Sequence, residues 1–270
     1  MAMSKAFSLI AVLASGSLVH SHGHVNNLII NGVYYETYDS TNFPYQENPP
    51  TVVGWTVNQK DNGFVSPHSY YDSDIICHRD AVPAQGHVEI AAGDVITIQW
   101  SEWPDAHHGP IVDYLANCHG PCEDVEKTDL EFFKIDGLGV VDRGNPGRYA
   151  DDVLLENGYS WNVRIPENIA SGNYVLRHEI IALHNAIEKY GAQNYPQCFN
   201  LKITGGGSDE PEGKLGTELY DAEDPGIYIN IYSNPSEYEV PGPPIIEGGV
   251  TSVKQEPSSA YTTASATTKS

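Results

Sequence analysis

Tyr174-Val175-Leu176-Arg177-His178-Glu179-Ile180-Ile181-Ala182-Leu183-His184 is the longest stretch of the chain that reads as one β-strand. Side chains alternate across a strand, so an unbroken one puts His178, Ile180, Ala182 and His184 on a single face. Shorter runs on either side repeat the two-residue period. Val88 to Ile90 and Asp94 to Trp100 read as strands joined at Gly93-Asp94, with Ile96, Ile98 and Trp100 sharing a face. Trp161, Val163 and Ile165 alternate with Asn162 and Arg164 until Pro166 ends the run. Phe199, Leu201 and Ile203 alternate with Asn200, Lys202 and Thr204, and Ile227, Ile229 and Ile231 with Tyr228, Asn230 and Tyr232. Helical spacing is nearly absent. Short alternating runs between Gly, Pro and Asn/Asp turns predict an all-β fold, an antiparallel sandwich.

The segments between strands are long. The loop from Tyr34 to Pro50 carries Tyr34, Tyr35, Tyr38 and Tyr45, and the stretch from Ser101 to Lys127 carries three histidines. Loops longer than ~12–15 residues in a compact domain are usually functional. After Gly248 the composition turns to Ser and Thr with almost no apolar side chains. Residues 249–270 therefore predict a disordered, O-glycosylated tail. There is no internal repeat.

Residues 1–21 hold one charge, Lys5, then an apolar run from Ala6 to Leu13, then small residues. This is the pattern of a secretory signal, and it is too short for a bilayer span, which needs ~20 apolar residues. Val19 and Ser21 suit a cut after Ser21, which leaves His22 as the first mature residue. A cut after Ser17 is the alternative and leaves His22 internal. The expected organisation is a signal at 1–21, one domain at 22–248 and the tail at 249–270. No later segment reads as transmembrane, so a secreted, extracellular protein without a membrane partner is expected.

The whole chain has 14 basic and 36 acidic side chains, a net charge of −22. Such a surface repels phosphate backbones and argues against nucleic acid. It does not oppose a neutral polymer such as a glycan. Four cysteines in an exported chain read as two disulfides with three possible pairings. Cys118 and Cys122 flank a Gly-Pro turn and suit a small ring, which would leave Cys77 with Cys198.

Three places carry candidate chemistry. A mature N-terminal His22 offers its α-amine and its nearer ring nitrogen to one metal ion. The amine pKa of ~7.7–8 lets a metal displace its proton near neutrality. Trp103-Pro104-Asp105-Ala106-His107-His108-Gly109-Pro110 offers His107 as a third nitrogen. His108 points the other way in an extended chain and reads as a structural donor. His184, Gln193 and Tyr195 can approach a metal held by the other two. Three nitrogens without thiolate or carboxylate suit copper best, whereas zinc prefers four tetrahedral ligands.

Several further motifs fall in order along the chain: His22-Gly23-His24-Val25, Phe43-Pro44-Tyr45, Asp74 to His78, Trp103 to Pro110, Asp113 to Ala116, Leu130 to Ile135, Asn173 to His184, Ala192 to Cys198, and Pro225-Gly226 with Ile229 to Tyr232. In this order and spacing, from His22 to about Glu247, the chain resembles the fungal cellulose-active lytic polysaccharide monooxygenases of auxiliary activity family nine. The resemblance implies an immunoglobulin-like or fibronectin-like sandwich whose long loops form a flat substrate face. It implies one copper held by His22 and His107, with Tyr195 axial and His184 and Gln193 as the outer-sphere pair. It implies disulfides Cys77–Cys198 and Cys118–Cys122, and Tyr45 and Tyr232 as surface rings that contact the glycan. The implied reaction is oxidative cleavage of β-1,4 bonds in cellulose or related β-glucans, at the first or fourth ring carbon. It draws on an external electron donor and hydrogen peroxide or dioxygen, and a monomer is expected.

Two other classes stay open from sequence alone. An acid-pair glycoside hydrolase needs two carboxylates flanking the bond, and no pair stands out among 36 acids. A non-catalytic glycan- or copper-binding protein would release no oxidised oligosaccharides.

Overall fold

Asn31 and Gly32 both adopt positive φ, 50° and 76°. That is the pair of values a two-residue hairpin turn requires, and it folds β1 (Val25–Ile30) back on β2 (Val33–Glu36). The computed structural model describes residues 22–269, and the expected signal at 1–21 lies outside the described residues. A short helix, α1 (Asp74–Cys77), comes before β3 (Gly86–Ala91), β4 (Val95–Trp100), β5 (Ile111–Asn117) and β6 (Glu131–Leu138). Then come β7 (Val140–Asp142), β8 (Arg148–Tyr149), helix α2 (Ala150–Glu156), β9 (Ser160–Arg164), β10 (Gly172–Ala182) and β11 (Gln193–Thr204). The chain ends through β12 (Lys214–Leu215), β13 (Thr262–Ala264) and β14 (Thr267–Thr268).

Two sheets form a β-sandwich. One has the order β13-β2-β1-β4-β9, the other β12-β6-β5-β10-β11-β3-β14. Leu28, Ile98, Trp100 and Trp161 from the first meet Leu176, Ile180, Phe199 and Leu201 from the second in one core. Strand β10 is central and buried on both faces. Its outer face carries Val175 and Ile181 into a second apolar cluster with Ile75, Ile76 and Tyr114. The same outer face carries Arg177 and Glu179, both fully buried. Arg177 donates to Glu179 at 2.8 Å and to the carbonyls of Ile76 and Ile75 at 2.7 and 2.8 Å. Asn194 and Tyr220 also donate to Glu179. Removing one member of so fully partnered a pair would cost ~3–5 kcal/mol, because the other charge stays buried. Cys77 pairs with Cys198 and Cys118 with Cys122.

Three expectations change. The alternating isoleucines at 227, 229 and 231 form no strand. Ile227 and Tyr228 turn back on the Asp224 carbonyl, and Ile231–Ser233 is a 3-10 turn. Strand β10 ends at Ala182, so His184 lies in the following loop. The Ser/Thr-rich tail, expected to be disordered, is paired. Strand β13 runs parallel to β2, and β14 antiparallel to β3. The Gln255 side chain accepts from the Asn162 amide at 2.8 Å and donates to its carbonyl at 2.9 Å, as a strand residue would. Unpaired sheet edges offer the tail these hydrogen bonds despite its polar composition.

Candidate metal centre

The first described residues are locked from both sides. A Cβ on Gly23 would stand 2.0 Å from the Glu102 carbonyl oxygen, so only glycine lets the chain lie this close. Ser101 donates its amide to His24 O at 2.8 Å, and Val25 donates to Gln197 Oε1 at 2.9 Å. His24 Nδ1 lies 2.9 Å from Asn62 Oδ1. These bonds set His22 beside the loop that follows β4.

That loop is held by the first turn of α2. Trp103 Nε1 donates to Asp151 Oδ2 at 2.9 Å, and the Gly109 amide donates to Asp151 Oδ1 at 2.8 Å. His108 Nδ1 lies 3.1 Å from Asp152, which also accepts from the Tyr149 amide at 2.7 Å. Two neighbouring carboxylates thus grip both ends of the loop, and His108 is a structural donor. His108, Asp151 and Asp152 lie close enough to hold a metal ion, but these hydrogen bonds already occupy the carboxylate oxygens. A Cβ on Gly109 would meet Ile181 O at 1.8 Å. The loop therefore presses against the end of β10, and His107 arrives over His184.

Five of the expected site residues come together here. His22 Nε2 and His107 Nε2 stand 3.1 Å apart. The His184 ring lies 3.8 Å from that of His107, and the Tyr195 ring 5.4 Å from that of His22. Tyr195 donates its hydroxyl to Gln193 Oε1 at 2.9 Å. Both stand on the first residues of β11, where alternation gives them one face. Trp103 closes the site beneath, edge-on to Tyr195 at 4.9 Å and to His107 at 6.0 Å.

Burial sets the charge state. Desolvation, with His184, His22 and His108 nearby, lowers His107 to about 3. Desolvation lowers His22 as well, against the opposing pull of Asp61. His184 is lowered by burial and by His22 and His108. Burial pushes the Tyr195 phenol well up. At neutral pH the site is three neutral imidazoles and a neutral phenol, with ring lone pairs available to a cation. A separation of 3.1 Å brings both nitrogens within reach of one ion at ~2.0–2.1 Å. The donor set therefore fits a nitrogen-preferring metal. It is the Nε2 atom of His22, not the nearer ring nitrogen, that faces His107. In the 270-residue chain Ser21 precedes His22, so the backbone nitrogen is an amide and no amine chelate draws the nearer nitrogen inward.

The two surface tyrosines lie on segments that adjoin the centre. Tyr45 is 75% exposed, with Lys60 5.4 Å over its ring. Lys60 precedes Asp61, whose charge reaches His22. Tyr232 is 44% exposed beside buried Ile231, and the Ile229 amide bonds Ala186 O in the loop after His184. Sequence reasoning missed Asp151, Asp152 and Asn62, which hold the site through bonds spanning 38 or more residues. His78, which ends the Asp74 to His78 motif, is fully buried and hydrogen-bonded, with Nε2 3.1 Å from Gly63 O.

A β-sandwich whose loops gather neutral imidazoles defines a candidate metal-binding protein, and comparison with known proteins names its family. The description Auxiliary Activity family 9 (formerly GH61) matches residues 22–239. The lytic polysaccharide monooxygenase cel61A of Hypocrea jecorina is 58% identical over 96% of this chain and 75% of its own length. Lytic polysaccharide monooxygenase H of Thermothelomyces thermophilus is 54% identical over 98% of this chain and 77% of its own. The extended catalytic domain of H. jecorina LPMO9A superposes with a TM-score of 0.90 at 59% identity, covering 92% of this chain and all of that one. The chain belongs to auxiliary activity family 9, the lytic polysaccharide monooxygenases. It is therefore an oxidoreductase that cleaves polysaccharide with electrons from a reductant, and the hydrolase reading falls. No helix among the described residues is long and apolar enough to cross a membrane.

Proposed function

We propose that the protein is secreted, is cut after Ser21, and as a monomer uses one copper ion to cleave β-1,4 bonds of cellulose or related β-glucans by hydroxylating the first or fourth ring carbon. The observation that carries this reading is the gathering of three rings, His22 standing 4.9 Å from His107 and 5.4 Å from the Tyr195 phenol between centroids. Among the relatives, a monooxygenase of M. thermophila is described as cellulose-active, and it superposes with a TM-score of 0.71 at 31% identity. Residues 22–248 would be the catalytic domain, with 249–270 as a docked extension.

His22, through amine and ring, and His107 would hold the copper. Tyr195, a neutral phenol beside His22, would complete the copper's surroundings. Copper so held supplies one-electron reduction by an external donor and activation of hydrogen peroxide or dioxygen. His184, neutral and with a buried Nδ1 that has no hydrogen-bond partner, would give a hydrogen bond or proton to the oxygen co-substrate. Gln193, fixed by the Tyr195 hydroxyl, would orient it. Tyr45 and Tyr232 would lie against sugar faces on a polymer surface. Mass spectrometry of products from cellulose, with copper and ascorbate, tests the reading. Aldonic acids or gem-diols are expected, and unoxidised oligosaccharides alone would overturn it.

A further inference from the structure

Beside the start of β1 lies a small cavity of about 10 Å³, lined in part by His24, Ser40 and Gln197. Each of these three residues is at least nine-tenths buried, at 5%, 0% and 9% exposure. Each carries a buried polar atom without a partner: His24 Nε2, Ser40 Oγ and Gln197 Nε2. Their other atoms are committed. Gln197 Oε1 accepts from the Val25 amide, which fixes the amide group with its NH2 turned elsewhere. His24 Nδ1 donates to Asn62 Oδ1, which leaves a lone pair on Nε2. Asp39 Oδ1, at 3.6 Å from Nε2, is too distant for a hydrogen bond, and it already accepts from Thr41 and Asn42.

The three atoms ask for one kind of ligand. The lone pair needs a donor, the amide needs an acceptor, and the hydroxyl serves either way. A cation would face the amide N–H, and an anion would face the imidazole lone pair. Water satisfies all three. One water needs ~10–15 Å³ of such space and about three polar partners.

We propose that this cavity binds a single structural water, and that His24, Ser40 and Gln197 are positioning residues which through it fix His22 against Tyr195. His24 lies two residues after His22, and Gln197 two residues after Tyr195 on the same face of β11. The water joins the entry of β1, the Ser40 turn and β11 at the point from which both proposed metal groups project. The inference rests on the reading of His22 as a copper ligand.

The test uses the secreted, processed protein. A crystal structure is expected to show one water within hydrogen-bond distance of His24 Nε2, Ser40 Oγ and Gln197 Nε2. A dry or collapsed cavity would overturn the site. Ser40→Val and Ser40→Thr are nearly isosteric and differ in the hydroxyl. Calorimetric copper titration of Ser40→Val is expected to show about tenfold weaker binding and an altered Cu(II) electron paramagnetic resonance spectrum, with Ser40→Thr nearer the parent. Equal losses in both variants would assign the effect to added volume and overturn the role of the water. If Ser40→Val does not fold, the crystal structure and the Thr variant still decide. A parent protein that binds no copper would sink the metal-centre reading. A parent that binds it, with Ser40→Val unchanged in affinity and spectrum, would sink only this inference.

Discussion

Tyr195 donates its hydroxyl to Gln193 Oε1 across 2.9 Å, from two positions along the same strand. Burial keeps the phenol neutral, while this bond aims it and turns the glutamine carbonyl to meet it. Tyr195→Phe frees the amide to rotate. The expected result is retained copper binding with a shifted Cu(II) spectrum, and turnover lower by ~10–100-fold. A spectrum and rate equal to the parent's would reject the axial and orienting roles together.

His184 touches His107 but lies one residue beyond the end of the His108 contact that closes β10, since the Leu183 amide bonds His108 O. On the proposed reading it acts on the co-substrate and does not hold the metal. His184→Ala is expected to bind copper normally by calorimetry and to lose roughly 100-fold or more in rate, the scale of a positioned proton donor. Full activity at full copper loading would rule that role out.

Asp136 is buried opposite Asp113, and burial together with that second carboxylate raises it from 3.8 to about 7. The unfolded chain releases this proton near pH 4 and the folded chain near 7. Stability therefore falls as pH rises through that window and is level above it. The loss is at most about 4 kcal/mol, at about 1.36 kcal/mol per pH unit. Asp136→Asn still accepts from the Gly137 amide and carries no charge. Urea midpoints at pH 4, 5.5 and 7 should show a flatter profile and a more stable variant at neutrality; parallel profiles would contradict this.

The tail covers edges of both sheets, β2 with β13 and β3 with β14, while Gln255 engages β9. Deleting residues 254–270 uncovers these edges. A fall in midpoint temperature is expected, with each 1 kcal/mol worth ~2–4 °C in a chain of this size, together with concentration-dependent self-association on light scattering. An unchanged midpoint and a monodisperse solution would mean that the pairing carries no stability.

The sandwich was legible where alternation coincides with pairing. Ile96, Ile98 and Trp100 share an inner face, as do Trp161 and Val163. Alternation reports which side chains are buried, not which backbones pair, and so Ile227 to Ile231 misled: Ile227 and Ile231 are buried without a neighbouring strand. Helix α2 has seven residues and is fixed by carboxylate contacts, so it leaves little periodic trace. At the metal centre the ligand candidates were readable because their residue types are rare. The residues that aim them, such as Asp151 on Trp103 and Asn62 on His24, are common types placed by long-range folding, and no local pattern marks them. The tail was misjudged because polar composition measures what a segment cannot bury, and strand pairing needs little burial.

The close packing of Gly23 on Glu102 begins one residue after His22. On the proposed reading, a protein that keeps even one residue ahead of His22 can still make this packing and yet lack the amine that would hold copper. Its purity on a gel would say nothing of its competence. Intact-mass measurement of the leading residue, before any assay, is the quality control that this packing imposes.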